Sequence, residues 1–185
     1  MARPPRPQIA GGFYHVTAKG NRGQVIFEDT HDRNLFFVRV RESVELYGWR
    51  FHSWCQMTNH YHLFLETPEP NLSEGMHRLN SLHAHWFNDA HEVKGHLFER
   101  RFGARLVVRD SHALVCLRYI ALNPVRAGLC RRQEQWLWSS YAATIGLAPR
   151  PDYLHVDWVL GLFSDDPEEA RQLYREFVCA GLLSA

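Results

Sequence analysis

The stretch CQMTNHYHLFLE, residues 55–66, decides how this chain is read. Its second half alternates, with Tyr61, Leu63 and Leu65 on one side and His60, His62 and Phe64 on the other. Side chains two residues apart on a β-strand share a face. The leucine side then enters a core, and both histidines look out from the opposite face of a sheet. In a helix or loop the same spacing would carry no such meaning. Thr58 and Asn59 supply a tight turn, so WRFHSWCQM (49–57) and HYHLFLET (60–67) form a hairpin that Pro68 and Pro70 terminate.

Working outward, FYHVTAK (13–19) reads as a first strand, stopped by the turn signal GNRG. Thr30 or Asp32 caps a helix to about Tyr47, with Phe36, Val40, Val44 and Tyr47 at helical spacing and Gly48 as its stop. Residues 71–92 predict a second helix with Leu72, Met76, Leu79, Trp86 and Ala90 as its apolar stripe. ERRFGARLVVRD (99–110) alternates again: Phe102, Ala104, Leu106 and Val108 face one way, Arg101, Arg105 and Arg109 the other. SHALVCLRYIAL (111–122) adds a helix capped by Ser111, with Ala113, Cys116, Leu117 and Ile120 buried. The last helix, in SDDPEEARQLYREFV, has Pro167 in its first turn and buries Leu173, Tyr174 and Phe177.

The order β-α-β-β-α-β predicts an α+β, ferredoxin-like (split βαβ) antiparallel sheet, with helices on one face and the other face open. Residues 1–12 form a flexible N-terminal arm, 13–130 the main domain, and 131–185 a C-terminal helical extension of the same domain. With 185 residues, 45% apolar and 22% charged, the chain suits one domain with a full core. No apolar run approaches the ~18 residues of a membrane span, and the Arg- and Pro-bearing N-terminus is not a secretory signal. Cysteines 55, 116, 130 and 179 lack CxxC spacing, which favours reduced thiols and a cytoplasmic location.

A net charge of +1 hides an asymmetry. Residues 1–132 hold 18 Lys+Arg against 12 Asp+Glu, and residues 133–185 hold 3 against 8. Only Lys19 and Lys94 are lysines. Arginine grips phosphate in two places and stacks on bases, so the front half suits nucleic acid as well as solvent.

Two imidazoles at i and i+2 on a strand suit one divalent cation, although 12 histidines also make chance pairs. RYIALNPVRAGLC (118–130) offers partners: Tyr119 at the edge of a buried helical stripe, and Asn123 four residues on. An Asn carbonyl is a fair ligand for a hard cation. Tyr119 reads either as a packing tyrosine or as a nucleophile for a phosphodiester. Asn123 precedes Pro124, which biases it toward capping a following turn.

These blocks resemble the single-tyrosine HUH transposases of the insertion-sequence type, most closely their REP-associated tyrosine transposase branch. GFYHVTAKGNRGQVIF, MTNHYHLFLE, LFERRFGARLV, RYIALNPVRAGL and WLWSSY follow in order, over residues 12 to about 145. The resemblance implies that 13–130 is a catalytic domain, that His60, His62 and Asn123 bind Mg²⁺ or Mn²⁺, and that Tyr119 is the nucleophile. It further implies a monomer that cleaves and rejoins single-stranded DNA at REP-like hairpins through a 5′-phosphotyrosine, without membrane or nucleotide cofactor. Arg22, Arg101, Arg105, Arg109 and Arg126 would contact DNA, and Phe64 would stack on unpaired bases. The middle residue of the HxH is Tyr61, less aliphatic than the pattern, and the N-terminal arm matches no recognition tetrapeptide. Two rival readings remain: a non-catalytic nucleic-acid-binding module on the same fold, and a zinc hydrolase using Cys55, His60 and His62.

Overall fold

In the computed structural model, which describes residues 8–183, the alternating segments become strands. They are β1 (Gly12–Lys19), β2 (Arg50–Gln56), β3 (His60–Thr67) and β4 (Gly103–Val107). They form one antiparallel sheet in the order β2-β3-β1-β4. Helices α1 (Thr30–Tyr47) and α2 (Leu72–Ala90) share one face. Beneath them Tyr14, Val16, Tyr61, Leu63 and Leu65 are buried, as the alternation requires. The α+β, split βαβ architecture read from the sequence is the one observed.

The helix boundaries carry two corrections. Asp29, rather than Thr30 or Asp32, caps α1: its Oδ1 accepts the Asp32 N–H at 2.9 Å while Asp32 Oδ2 accepts the Asp29 N–H at 3.3 Å. In α2 the buried stripe runs through Leu72, Met76, Leu79, His83 and Phe87, while Trp86 is half-buried and Ala90 exposed. His83 can occupy the core because its Nε2 sits 2.8 Å from the Ile26 carbonyl and donates to it.

Gly75 is where α2 meets the hairpin. A methyl there would lie 2.2 Å from Trp49 Cζ2, and Trp49 cannot retreat, since its Nε1–H donates to Asn71 Oδ1 at 2.7 Å. Gly75→Ala is therefore expected to destabilise by about 2 kcal/mol, although alanine is the better helix former by ~1 kcal/mol. Urea unfolding followed by circular dichroism tests this; an unchanged midpoint would contradict the wedge.

The last strand is shorter than the 99–110 alternation suggests. Residues 99–102 form a loop in which the Glu99 N–H donates to the Lys19 carbonyl at 2.9 Å. Val108 is exposed because the chain leaves the sheet there to enter α3 (Asp110–Arg126). Arg105 keeps its place on the strand, while Arg101 lies in the loop and Arg109 immediately precedes α3.

The second face of the sheet is not open along its length. Helix α3 packs against β2, β3 and β4, burying Ala113, Cys116, Leu117 and Ile120 as its periodicity predicts. After the short α4 (Tyr141–Thr144), α5 (Val156–Gly161) sends Trp158 over β1 and β2, with ring centroids 4.6 Å from Phe13 and 4.7 Å from His52. Phe64 is fully buried in this cluster. Helix α6 (Pro167–Leu183) docks on α3 and α5. It buries Ala170, Tyr174 and Val178 at i, i+4, i+8, which leaves Leu173 exposed and Phe177 under the Arg118 guanidinium at 4.6 Å.

The extension also closes the β2 edge. The Gln56 N–H donates to the Trp138 carbonyl at 2.9 Å, Ser140 N–H to the Trp54 carbonyl at 3.1 Å, and His155 N–H to the Phe51 carbonyl at 2.7 Å.

Candidate active site

Where α3 and α5 leave the sheet uncovered, a groove of about 1720 Å³ follows β1 and β4. His15, His60, His62, Arg101, Arg105 and Tyr119 line it, and among the described residues none after Tyr119 in the sequence does so. The β3 pleat sends His60 and His62 to this face together, with ring centroids 5.0 Å apart. Strand β1 contributes His15, whose Nε2 lies 3.0 Å from His62 Nδ1 with the rings stacked. Helix α3 brings Tyr119 edge-on, 5.2 Å from His62 and 6.0 Å from His15 between centroids.

Helix α3 reaches far enough to hold Asn123 as well. Its sequence favours a break before Pro124, yet the helix continues to Arg126. It ends in a Schellman closure, with Leu129 N–H donating to the Pro124 carbonyl at 2.9 Å and Gly128 N–H to the Val125 carbonyl at 3.0 Å. Gly128 takes the left-handed φ of +71° that this closure needs. Asn123 thus stays helical, one turn beyond Tyr119, where its side chain interacts with His60.

The hydrogen bonds around the histidines set their tautomers. Asn59 donates from Nδ2 to the Gly23 carbonyl at 3.1 Å, which turns its Oδ1 toward His60 Nδ1 at 2.8 Å. His60 therefore carries its proton on Nδ1 and keeps a lone pair on Nε2. His62 Nε2 is buried with no partner. If its Nδ1–H donates to His15 Nε2, that orphaned Nε2 has a lone pair free. Burial, with His15 and His60 beside it, lowers His62 to about 3. Burial and then Arg105 lower His15 to about 4. Burial lowers His60 too, opposed by Asn123 and aided by Lys19. All three rings are neutral at pH 7, the form that ligates metal.

The donor set fits a divalent cation: two neutral imidazole nitrogens, one of them an otherwise unexplained buried atom, and the Asn123 amide oxygen. Among the described residues no three His, Cys, Asp or Glu side chains form a metal-holding group. Cys55 stands opposite His62 in the β2–β3 register. Its Sγ contacts Met57 Sδ at 3.5 Å, and it does not join His60 and His62 in a metal-holding group, so the zinc-hydrolase reading loses its support.

The arginines divide. Arg101 and Arg105 line the groove. Arg22 is exposed in the Asn21–Gly23 turn at φ +53°, and the Asn59 bond to Gly23 ties that turn to the site. Arg109 precedes α3 and does not line the groove, and Arg126 donates to the Gly181 carbonyl at 3.2 Å, anchoring α6. Phe64, expected to stack on bases, is unavailable because the Trp158 cluster covers it. The sequence reading missed His15 and Arg100, which also lines the groove. For His15 the signal was present: Phe13, His15 and Thr17 alternate against Tyr14, Val16 and Ala18, on the face that carries the HxH.

The described residues include no helix long and apolar enough to cross a membrane. No curated protein matches this sequence. Among solved structures, one described as the REP-associated tyrosine transposase bound to a REP hairpin superposes with a TM-score of 0.67 at 20% identity, covering 84% of this chain and 94% of that one. A tRNA(His) guanylyltransferase from Saccharomyces cerevisiae reaches a TM-score of 0.48 at 12% identity, over 92% of this chain and 79% of that one. The family described as IS200-like transposase matches residues 11–123, a span that contains every strand of the sheet, both histidines of the HxH, Tyr119 and Asn123. The chain belongs to the IS200-like transposase family.

Proposed function

We propose that this transposase is of the REP-associated kind and cleaves and rejoins single-stranded DNA beside hairpin repeats, with Tyr119 as nucleophile. The observation that carries the proposal is the approach of Tyr119 to His62, 5.2 Å between ring centroids, in a groove that also bears Arg101 and Arg105. The hairpin bound by the structural neighbour supports the choice of substrate. All of these groups come from one chain, which agrees with a monomer.

The arginines hold the phosphate backbone, and α3 aims the phenol at one phosphorus. As the Tyr119 Oη–P bond forms, the P–O3′ bond breaks; the phenol gives up its proton and the leaving oxygen becomes a 3′-hydroxyl. The number of phosphoester bonds is unchanged, so the same hydroxyl can return to the phosphorus and no nucleotide is consumed. His60, His62 and Asn123 would hold Mg²⁺ or Mn²⁺, with His15 orienting His62 from behind. When bound, such a cation polarises a phosphoryl oxygen and favours attack by a phenol whose ordinary pKa is about 10.

The test is a covalent-adduct assay with Mn²⁺ and labelled single-stranded hairpins from the repeats flanking the gene. A protease-sensitive band on a denaturing gel, lost on chelation, is the expected result. Hairpins that bind without ever yielding a band would instead make the protein a non-catalytic binding module.

A further inference from the structure

Strand β1 ends on Lys19, and the alternation Phe13, His15, Thr17, Lys19 puts that side chain on the groove face. In the β1–β3 register it stands directly opposite His60, so the two Cβ atoms lie about 5 Å apart. Its backbone is fixed from both sides. The Lys19 carbonyl accepts the Glu99 N–H at 2.9 Å, and the next residue, Gly20, donates to the Asn59 carbonyl at 2.8 Å. The side chain is exposed, and among the described residues no carboxylate pairs with it. Beside burial, and against the Asn123 interaction, its charge helps to hold His60 below the usual histidine range. Lys94, the other lysine of the chain, does not line the groove.

Positions along the sheet fix which side of the reaction Lys19 serves. Tyr119 meets His15 and His62, whereas Asn123, one helical turn on, interacts with His60. Helix α3 thus passes this face from the His15 end of β1 toward the Lys19 end, two positions about 13 Å apart along the strand. An in-line displacement expels its leaving oxygen on the side of the phosphorus away from the nucleophile. With the phenol entering at the level of His15 and His62, that side is the level of His60 and Lys19. We propose that Lys19 is a further catalytic residue, its ammonium meeting the 3′-oxygen that leaves as Tyr119 attacks. This rests on the transesterase reading of Tyr119. As the Oη–P bond forms, the P–O3′ electron pair goes to the 3′-oxygen, and the ammonium stabilises the charge developing there until water supplies a proton. On rejoining, the same contact orients the returning 3′-hydroxyl. A compact ammonium suits a single oxygen, while the forked guanidiniums of Arg101 and Arg105 suit the two free oxygens of a phosphate.

The test compares the full-length native chain with Lys19→Met and Lys19→Arg in Mn²⁺, following the rate of adduct formation. The hairpin DNA carries either the natural 3′-oxygen or a bridging 3′-sulfur at the scissile linkage. Sulfur departs as a stable thiolate and needs no cation beside it. Lys19→Met is expected to slow the oxygen substrate about 100-fold and the sulfur substrate less than about threefold, with Lys19→Arg recovering part of the loss. Hairpin affinity, read by anisotropy in chelator, should stay within about twofold of native, since the contact matures only in the transition state. An equal deficit on both substrates, or no deficit on either, overturns the proposal. So does a slowing that merely tracks weaker binding, which would make Lys19 a backbone contact. A native chain that forms no adduct on either substrate overturns the transesterase reading itself.

Discussion

Tyr119→Phe should eliminate the covalent adduct while leaving hairpin affinity within about twofold. The substitution deletes one oxygen. The ring keeps its edge contacts with His62 and His15, and because Tyr119 is 40% exposed the fold loses little. Removal of a nucleophile that acts together with its partners costs on the order of 10⁴- to 10⁶-fold in rate. No other tyrosine lines the groove; Tyr61, Tyr141 and Tyr174 are buried, and burial raises each of their phenols. A denaturing gel measures the adduct and anisotropy the binding. An adduct that persists in the variant would remove Tyr119 from the chemistry, whereas a parallel loss of binding would make the ring a DNA contact.

Acid should unfold the protein well before its carboxylates titrate. Burial lowers His83 to about 4, with the Ile26 carbonyl working against it, whereas an unfolded histidine takes its proton near 6.5. Between those values the unfolded chain holds more protons, so stability rises with pH there and is lost as pH falls through 6.5 toward 4. For His83 alone that is about 2 kcal/mol by pH 5. His52, lowered to about 4 by burial, adds in the same direction. His91 has the opposite sign. Its hydrogen bond to Asp32 raises it, so its contribution is complete below about 6.5 and lost as pH rises through its folded value. Maximum stability is therefore expected near neutrality. His83→Gln keeps an amide donor for the Ile26 carbonyl but cannot titrate. Urea unfolding in chelator at pH 5, 6 and 7 should show a shallower acid decline for this variant. Identical slopes would mean that His83 does not carry the effect.

Much of the architecture was legible because period-2 and period-3.6 patterns state which face of an element is apolar. They do not state what covers that face. His60 and His62 were assigned to the surface opposite the leucines, and there they are. That α3 and Trp158 would then roof half of this surface, burying Phe64, depends on contacts between distant residues that no local pattern encodes. His83 is absent from the apolar stripe read for α2, although the Ile26 carbonyl pairs its Nε2 in the core. Arg33 is similar: it is buried beside Phe27, Trp136 and Trp138 while donating to the Gln56 and Met57 carbonyls. Tyr119 and Asn123 share a helix side by simple geometry. Their meeting with β3 follows from a helix that outruns its proline, a local preference overridden by packing.

The seal on β2 bears on where this protein can be cut. The family match ends at residue 123, and the groups proposed for chemistry all lie within it. The backbone atoms that pair with Phe51, Trp54 and Gln56 come from His155, Ser140 and Trp138. A fragment trimmed to the matched span would keep the histidines, tyrosine and asparagine. It would also leave an edge strand with unpaired amides and carbonyls, a template for intermolecular pairing. The smallest piece that contains the proposed groups is thus smaller than the piece that keeps the β2 edge paired, and sequence similarity alone marks only the first.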